Sequence, residues 1–151
     1  MANMDVEQMG WQASSKTGAV AAGGGGAVAA GIEILNAGGN AADAAAATIL
    51  ALVQPGDEVV TFEPYYDSYA ASIALARGVR RTSVLRFPDW EVDEESLRAA
   101  FSDRTRMVLL NTPHNPTGKV FSRAEIDLIC RLAIEHRFRS RRWRLRRRAR
   151  S

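Results

Sequence analysis

The pattern of apolar and polar positions along the chain predicts alternating strands and helices. Apolar or alternating stretches that are typical of strands occur at Glu58–Phe62, Val79–Phe87 and Met107–Leu110. Apolar residues at helical spacing, or residues typical of helix starts, predict helices over Ala27–Leu35, Ala41–Ala51, Asp67–Ala76, Asp93–Ala100 and a segment that begins after Ser122. This alternation favours an α/β fold, with a parallel sheet covered by helices in three layers.

The stretch Met107–Lys119 joins an apolar run to a loop rich in Asn, Pro and Thr. Its first four residues are continuously apolar, which is typical of a strand buried on both faces of a parallel sheet. The loop follows at the carboxyl end of this strand, where α/β proteins bind ligands. Pro113 and Pro116 restrict the backbone, so we expect the loop to hold the Asn115 amide as a hydrogen-bond donor and acceptor. For an Asn-Pro-Thr-Gly sequence on its own, a turn without a ligand is the preferred interpretation.

Three sequence blocks occur in order in the middle of the chain. They are QPGDEVV at Gln54–Val60, FEPYYDSY at Phe62–Tyr69 and NTPHNPTGK at Asn111–Lys119. Together, residues 54–136 resemble the class I and II pyridoxal-phosphate-dependent aminotransferases, closest to the branch with kynurenine and methionine aminotransferases. The resemblance implies a partial, truncated three-layer α/β/α sheet like the large domain of fold-type I enzymes. It also implies pyridoxal 5'-phosphate as cofactor, and an amino acid and a 2-oxo acid as substrates.

The resemblance assigns expected cofactor contacts to three residues. Asn115 matches the residue that hydrogen-bonds the ring oxygen of the cofactor, and Tyr66 matches the aromatic residue that stacks on its pyridine ring. The alternative for Tyr66 is an aromatic residue at a helix start that packs on the core. Asn40 lies where the family has a helix end that cups the cofactor phosphate. Because Ala42 replaces the expected hydroxyl residue there, we expect weak or absent cofactor binding.

The same resemblance implies catalytic groups that the matched blocks do not contain. The family uses a lysine that forms a Schiff base and an acid that pairs with the pyridinium nitrogen, both beyond the helix expected to end near His136. The chain has two lysines, Lys16 and Lys119, and neither matches the Schiff-base position. We therefore expect no catalytic residue and no transaminase activity of the chain alone. His114 is expected to have a structural place rather than to act as a base.

A different resemblance covers the first part of the chain. Gly31–Leu52, with its internal Gly38-Gly39 and the helix-capping Asn40, predicts a helical hairpin. With the residues before it, from Lys16 on, this stretch resembles the N-terminus of the gamma-glutamyltranspeptidase large subunit, where it is scaffold. We therefore predict three units: a fused segment over residues 1–52, an aminotransferase large-domain fragment over residues 53–136, and a tail over residues 137–151. A gamma-glutamyltranspeptidase fragment remains an alternative function.

The tail carries most of the positive charge. Arg137–Ser151 contains nine arginines and no acid, so a formal net charge of +3 for the chain leaves −6 for residues 1–136. One interpretation is a nucleic-acid-binding arm, with Phe138 and Trp143 available for base stacking. The other is a disordered or out-of-frame tail, because most arginine codons begin with CG. Shifted by one base, they encode Val, Ala, Gly, Asp or Glu, as in the Val-rich strand that follows in the family.

Composition limits the remaining possibilities. At 151 residues the chain is at most one domain of ordinary size, and it has no apolar run long enough to span a membrane. Its only cysteine, Cys130, excludes an internal disulfide, and the start lacks a signal peptide, so we expect a cytoplasmic protein. We predict no metal site. An apolar strand at Met107–Leu110 without its next neighbour would favour self-association.

Overall fold

The computed structural model describes residues 12–14, 19–21 and 25–148, and it describes the surroundings of side chains between residues 29 and 136, except residue 41. The first elements are two short strands and two helices: β1 (Gln12–Ser14), β2 (Ala19–Ala21), α1 (Gly25–Asn36) and α2 (Ala41–Leu52). The next elements alternate: β3 (Glu58–Glu63), α3 (Asp67–Leu75), β4 (Val79–Arg86), β5 (Glu91–Val92), α4 (Glu94–Ala100), β6 (Thr105–Val108) and α5 (Arg123–Arg148).

A four-stranded sheet organises the described part of the chain, with the strand order β5-β4-β3-β6. The strand β3 pairs in parallel with both β4 and β6, and β5 adds an antiparallel pair to the end of β4. A separate antiparallel pair joins β1 to β2. The helices α1 and α2 pack against each other as a helical hairpin. The predicted α/β class, with parallel central strands, is confirmed.

The core consists of two apolar clusters on opposite faces of the sheet. Successive residues of a strand point to opposite faces, and the neighbours Val59 and Val60 accordingly belong to different clusters. On one face, α4 and α5 contribute to the cluster Val60, Phe62, Leu85, Leu97, Ala100, Phe101, Phe121, Leu128, Ile129 and Leu132. On the other face, α2 and α3 contribute to the cluster Ile49, Val53, Val59 and Ile73. Helices therefore cover both faces, which gives three layers.

The strand that is buried on both faces is β3, not the one predicted at Met107–Leu110. Every residue of Glu58–Phe62 is buried, whereas β6 begins earlier than predicted, ends at Val108 and is only half-buried. Leu110 lies beyond the strand and is exposed. The reason is position: β6 lies at the edge of the described sheet, so its side chains have strand neighbours on one side only. The expected self-association through this edge remains a prediction.

The last helix continues past the end that the sequence predicts near His136. The backbone of α5 is helical from Arg123 to Arg148. Arginine is a good helix former and this stretch contains no Gly or Pro, so the local sequence supplies no helix terminator. The predicted boundary of the tail at residue 137 therefore does not coincide with a helix end. None of the described helices has both the length and the apolar character that crossing a membrane requires.

Candidate functional site

The candidate site lies at the carboxyl ends of the parallel strands β3 and β6. Because the two strands are neighbours and run in the same direction, the segments that follow them leave the sheet at the same edge. The segment after β3 contains Tyr66, and the segment after β6 is the loop 111–119. Only five residues separate α2 from the start of β3. This short connection reverses the chain direction, so Asn40 at the amino end of α2 lies toward the same edge.

Tyr66 immediately precedes α3 and leaves its ring accessible. Its backbone is extended and its side chain makes no capping hydrogen bond with the helix. The residue is 39% exposed, and its ring meets that of Tyr69 edge-on, with 5.7 Å between ring centroids. Burial, followed by the proximity of Tyr66, raises the pKa of Tyr69. The structure thus places Tyr66 at the carboxyl end of the parallel strands with part of its surface exposed, rather than inside the core.

The loop 111–119 is held by hydrogen bonds within itself. His114 N donates to Lys119 O at 2.7 Å, and Gly118 N donates to His114 O at 2.6 Å. Gly118 has a φ of 73°, a left-handed conformation that glycine adopts without strain. The side chain of Asn111 accepts a hydrogen bond from Asn115 N. The side-chain amide of Asn115 is exposed and has no hydrogen-bond partner among the described residues.

His114 is a buried residue of this loop and anchors it to the core. It is 4% exposed, its Nδ1 shares a hydrogen bond of 2.9 Å with Thr117 Oγ1, and its ring packs edge-on against Phe121. Burial lowers the pKa of His114 and the charge of Lys119 lowers it further, while a backbone hydrogen bond with Phe62 opposes both. A buried ring in these contacts has the structural place that the sequence favoured.

Lys119 is bound by an acid at the start of α5. Its Nζ lies 2.8 Å from Glu125 Oε1, and the same oxygen accepts a hydrogen bond from Val92 N at 3.3 Å. The other carboxylate oxygen accepts from Ser122 N at 2.8 Å and Glu125 N donates to Ser122 Oγ at 3.3 Å, which together form a capping box. Burial alone would raise the pKa of Glu125, but hydrogen bonds from Lys119 and Ser122 outweigh it and hold this pKa below its usual range. Glu125 therefore ties the loop, β5 and α5 together.

At the amino end of α2, Asn40 uses its amide to cap its own helix. Its Oδ1 accepts hydrogen bonds from Ala42 N at 2.8 Å and Asp43 N at 3.1 Å. In return, the carboxylate of Asp43 accepts from Asn40 N at 2.9 Å. Two amide groups that could bind an anion are thus already used, and a negative carboxylate lies beside them. These hydrogen bonds stabilise the start of α2 and leave this helix end poorly suited to bind an anion.

Sequence reasoning missed a charged network at the opposite end of β3. The side chain of Glu58 is 1% exposed and accepts hydrogen bonds from Arg104 Nη2 at 2.7 Å and from the hydroxyl of Ser102. Arg81 Nε lies 3.9 Å away. No local signal could reveal this network because Arg104 is 46 residues away in sequence. Within the described residues, no group of three His, Cys, Asp or Glu side chains is placed to hold a metal ion.

Comparison with known protein families adds a decisive observation. Residues 33–139 match the family described as Aminotransferase class I and II. The chain belongs to this family. The match begins inside the N-terminal segment predicted to be fused and continues three residues past His136. The gamma-glutamyltranspeptidase-like origin of residues 1–52 and the three predicted domain boundaries remain predictions.

Curated aminotransferases resemble the chain over part of their length. A methionine aminotransferase from Escherichia coli (strain K12) is 44% identical over 96 residues, which cover 64% of this chain and 25% of that protein. A probable N-succinyldiaminopimelate aminotransferase DapC from Mycobacterium tuberculosis is 44% identical and covers 62% and 24%. Kynurenine–oxoglutarate transaminase 3 from Rattus norvegicus is 39% identical and covers 58% and 22%. The chain thus spans about a quarter of the length of these relatives.

Solved aminotransferase structures share the described fold. N-succinyldiaminopimelate aminotransferase from Mycobacterium tuberculosis is 41% identical with a TM-score of 0.58, over 61% of this chain and 24% of that one. An Escherichia coli protein with a methionine aminotransferase function is 44% identical with a TM-score of 0.56, over 58% and 23%. These similarities confirm the predicted fold class, a partial three-layer α/β/α sheet like that of fold-type I aminotransferases.

Proposed function

We propose that this aminotransferase chain forms part of a pyridoxal 5'-phosphate site and is not a transaminase by itself. The observation that carries the proposal is the placement of Tyr66 and the Asn115 loop after two adjacent parallel strands, at one edge of the sheet. Both residues stand in the sequence blocks that resemble the family. The amino acid and 2-oxo acid substrates of the aminotransferases are accordingly the proposed substrate class of a complete site.

The residues present fit the ring of the cofactor. Tyr66 offers an exposed aromatic surface on which a flat heterocycle can stack, and Tyr69 supports it from the side. Asn115 offers an unpaired amide on a loop that internal hydrogen bonds hold in shape. When bound, this cofactor supplies an electron sink for reactions at the α-carbon of an amino acid. The two side chains would bind and orient the ring rather than carry out chemistry.

The phosphate of the cofactor fits less well. Asn40 already accepts hydrogen bonds from the amides of Ala42 and Asp43, and the Asp43 carboxylate would repel a phosphate. At Ala42 the hydroxyl found in the family is missing. A phosphate could bind here only if this cap opened. We therefore propose weak, noncovalent binding of the cofactor, with Asn40 as the least favourable of the three contacts.

The proposed lack of activity concerns the lysine that anchors the cofactor. Lys119 is the one lysine among the described residues, and its amine is paired with the carboxylate of Glu125. It follows the Asn-Pro-Thr-Gly sequence directly and does not match the family's anchoring lysine. The purified chain is expected to show no turnover of amino acids with 2-oxoglutarate. Measurable turnover in that assay would overturn this part of the proposal.

Replacement of Tyr66 tests the ring contact. Tyr66→Ala is expected to weaken binding of pyridoxal 5'-phosphate about fivefold, because stacking contributes of order 1 kcal/mol beyond the area buried. Equilibrium dialysis of the full-length chain measures the affinity. Tyr65→Ala is the matched control, since the neighbouring ring lies under the guanidinium of Arg80 instead. Equal losses in the two variants, or no saturable binding to the unsubstituted chain, would contradict the proposed site.

A second proposed function, nucleic-acid binding, concerns the tail. It is supported by the continuation of the α5 backbone as a helix to Arg148, because residues 137–148 of this helix include eight of the nine arginines of the tail. If about six charges contact phosphates, affinity is expected to fall by about 10³ between 50 and 200 mM salt. Retention on immobilised DNA at increasing salt measures this effect. Retention that persists unchanged after deletion of residues 137–151 would exclude the tail as the binding segment.

A further inference from the structure

The outer edge of β4 is open over most of its length. Of its eight residues, only Leu85 and Arg86 pair with β5. On the inner side, β4 pairs with β3 from Val79 onward. Among the described strands, none pairs with the outer side of residues 79–84. An open strand edge presents backbone donors and acceptors that another extended segment can use.

The direction of the free backbone groups follows from two hydrogen bonds. Val79 N donates to Asp57 O, so the amide of Val79 faces β3. Backbone groups alternate in direction along a strand, so the amides of Arg80, Thr82 and Val84 face outward. Val84 N indeed donates outward, to Ser96 Oγ of α4 at 3.3 Å. The amides of Arg80 and Thr82 have no hydrogen-bond partner among the described residues.

These two amides lie beside a cleft between β4 and α4. The cleft has a volume of about 320 Å³ and is lined by Arg80, Arg81, Thr82, Ser96, Ala99 and Ala100. The residues contributed by α4 are small, which leaves space along the strand edge. An extended peptide can enter such a cleft, and its backbone can pair with the open edge as an additional strand. A strand edge beside a cleft is thus accessible here.

The charge of the cleft favours an acidic occupant, because its lining contains two arginines and no acid. Arg81 is 44% exposed and shares the Glu58 carboxylate with Arg104, so two guanidinium groups stand against one carboxylate. Arg80 lies over the ring of Tyr65, 4.1 Å from its centroid, and no described acid pairs with it. Adjacent residues of a strand point to opposite faces. Two successive acids on an added strand could therefore meet Arg80 on one face and Arg81 on the other.

We propose that the open edge of β4 and its cleft bind an extended acidic peptide segment as an additional strand of the sheet. The outward amides of Arg80 and Thr82 supply backbone hydrogen bonds, and the two arginines select successive acidic side chains. The same arginines repel another copy of this basic edge, which disfavours pairing between two copies of the chain. This site lies along the outer side of β4, whereas the candidate cofactor site lies at the carboxyl ends of β3 and β6. The proposed peptide site does not depend on the cofactor site.

The test uses the full chain and the labelled peptide acetyl-Thr-Val-Glu-Glu-Val-Thr-amide, with binding followed by fluorescence anisotropy. Thr82→Pro removes one outward amide without touching the ladder to β3, and Pro is tolerated at such edge positions. Thr82→Val is its matched control, since it keeps both the amide and the approximate shape. The arginines of the tail are identical in both variants, so attraction between tail and peptide cancels in the comparison. We expect Thr82→Val to bind like the unsubstituted chain and Thr82→Pro to bind about tenfold more weakly.

A modified peptide provides a second test that needs no folded variant. N-methylation of alternate peptide amides keeps the charge but blocks strand pairing on one edge. Of the two alternate methylation patterns, one is expected to weaken binding to the unsubstituted chain about tenfold and the other to leave it unchanged. Equal binding of both methylated peptides and the parent would show attraction by charge alone and overturn the proposal. Three other results would also overturn the proposal. They are equal binding of the peptide to Thr82→Pro and Thr82→Val, equal binding of a peptide with Lys in place of Glu, and the absence of saturable binding.

Discussion

At the amino end of β3, the carboxylate of Glu58 is buried and bound by Arg104 and Ser102. At the carboxyl end of the same strand, the chain continues to Tyr66, which is 39% exposed, and the neighbouring strand leads to the exposed residue Asn115. The carboxylate at the amino end is thus satisfied internally, whereas Tyr66 and Asn115 at the carboxyl end remain accessible. A polar group that is satisfied internally stabilises the fold, whereas an unsatisfied one at the surface is available to a ligand.

The two asparagines of the candidate site show the same contrast within one region. The side chain of Asn40 caps α2 by accepting a backbone hydrogen bond. The side chain of Asn115 has no partner among the described residues, and only its backbone amide is bound, by the side chain of Asn111. The two asparagines therefore differ in role: Asn40 stabilises a helix, and Asn115 is available to a ligand. Substitutions at the two ends of β3 should separate residues that support the fold from residues that are available for binding.

The largest effect is expected at the amino end. Arg104→Ala should lower the free energy of unfolding by about 3 kcal/mol, because it leaves the buried carboxylate of Glu58 without its nearest cation. The remaining cation, Arg81, is 3.9 Å away and offsets only part of the loss. Urea denaturation measures the change. The control is Arg98→Ala, which breaks an exposed pair with Glu94 and should change stability by less than about 1 kcal/mol. Equal effects would contradict a stabilising role for the buried network.

An intermediate effect is expected from His114, the buried histidine of the loop 111–119. Burial lowers the pKa of His114 below its ordinary value of 6.5, with Lys119 adding to the shift. The unfolded chain therefore takes up a proton at higher pH than the folded chain does. The contribution of neutral His114 to the free energy of unfolding is fully present above about pH 6.5. It should decrease below that pH, by at most about 1.4 kcal/mol per pH unit, until the pH falls below the pKa of His114 in the folded chain.

Urea denaturation at pH 7.5, 6.5 and 5.5 measures this dependence. His114→Gln should remove this contribution, while all other groups are the same in both proteins. An unchanged difference in stability between pH 7.5 and 5.5 would show that His114 is not held neutral in the fold. It would also weaken the view that the carboxyl end keeps its loop in place through one buried ring.

The smallest effects are expected when each of the two asparagines is replaced by alanine. Asn40→Ala should lower the free energy of unfolding by about 1 kcal/mol, because the amides of Ala42 and Asp43 lose their acceptor. Asn115→Ala, the matched substitution, should change stability by less than about 0.5 kcal/mol, since its side chain is exposed. The comparison would fail if Asn115→Ala destabilised the chain as much as Asn40→Ala, because that would assign Asn115 a structural task.

Local features were predictable because their contacts are close in sequence. The capping boxes of Asn40 with Asp43 and of Ser122 with Glu125 span three residues each and are present in the structure. Asp93 likewise caps α4 through Ser96 N. Tyr66 and Asn115 were identified from sequence blocks, and the structure brings both to the expected edge. Their contacts with a cofactor remain predictions.

Other features depend on partners that are distant in sequence. The apolar run at Met107–Leu110 indicates a strand, but only the strand order shows that it lies at the edge and that β3 is central. Lys119 follows a recognisable motif, yet its pairing with Glu125, and through that residue with Val92, required the packed loop. A run of apolar residues does not show how many strands flank it, which is why the sequence predicts burial on both faces for β6 instead of β3.

The sequence by itself determined the aminotransferase resemblance, the alternation of strands and helices, and the helix caps, because these depend on residue types and short spacings. The tertiary structure alone decided which strand is central, that the buried Glu58 pairs with Arg104, and that the outer edge of β4 opens onto a cleft lined by two arginines. The physical reason is that burial and pairing depend on which elements become neighbours. That choice rests on the summed contacts of many residues far apart in the chain.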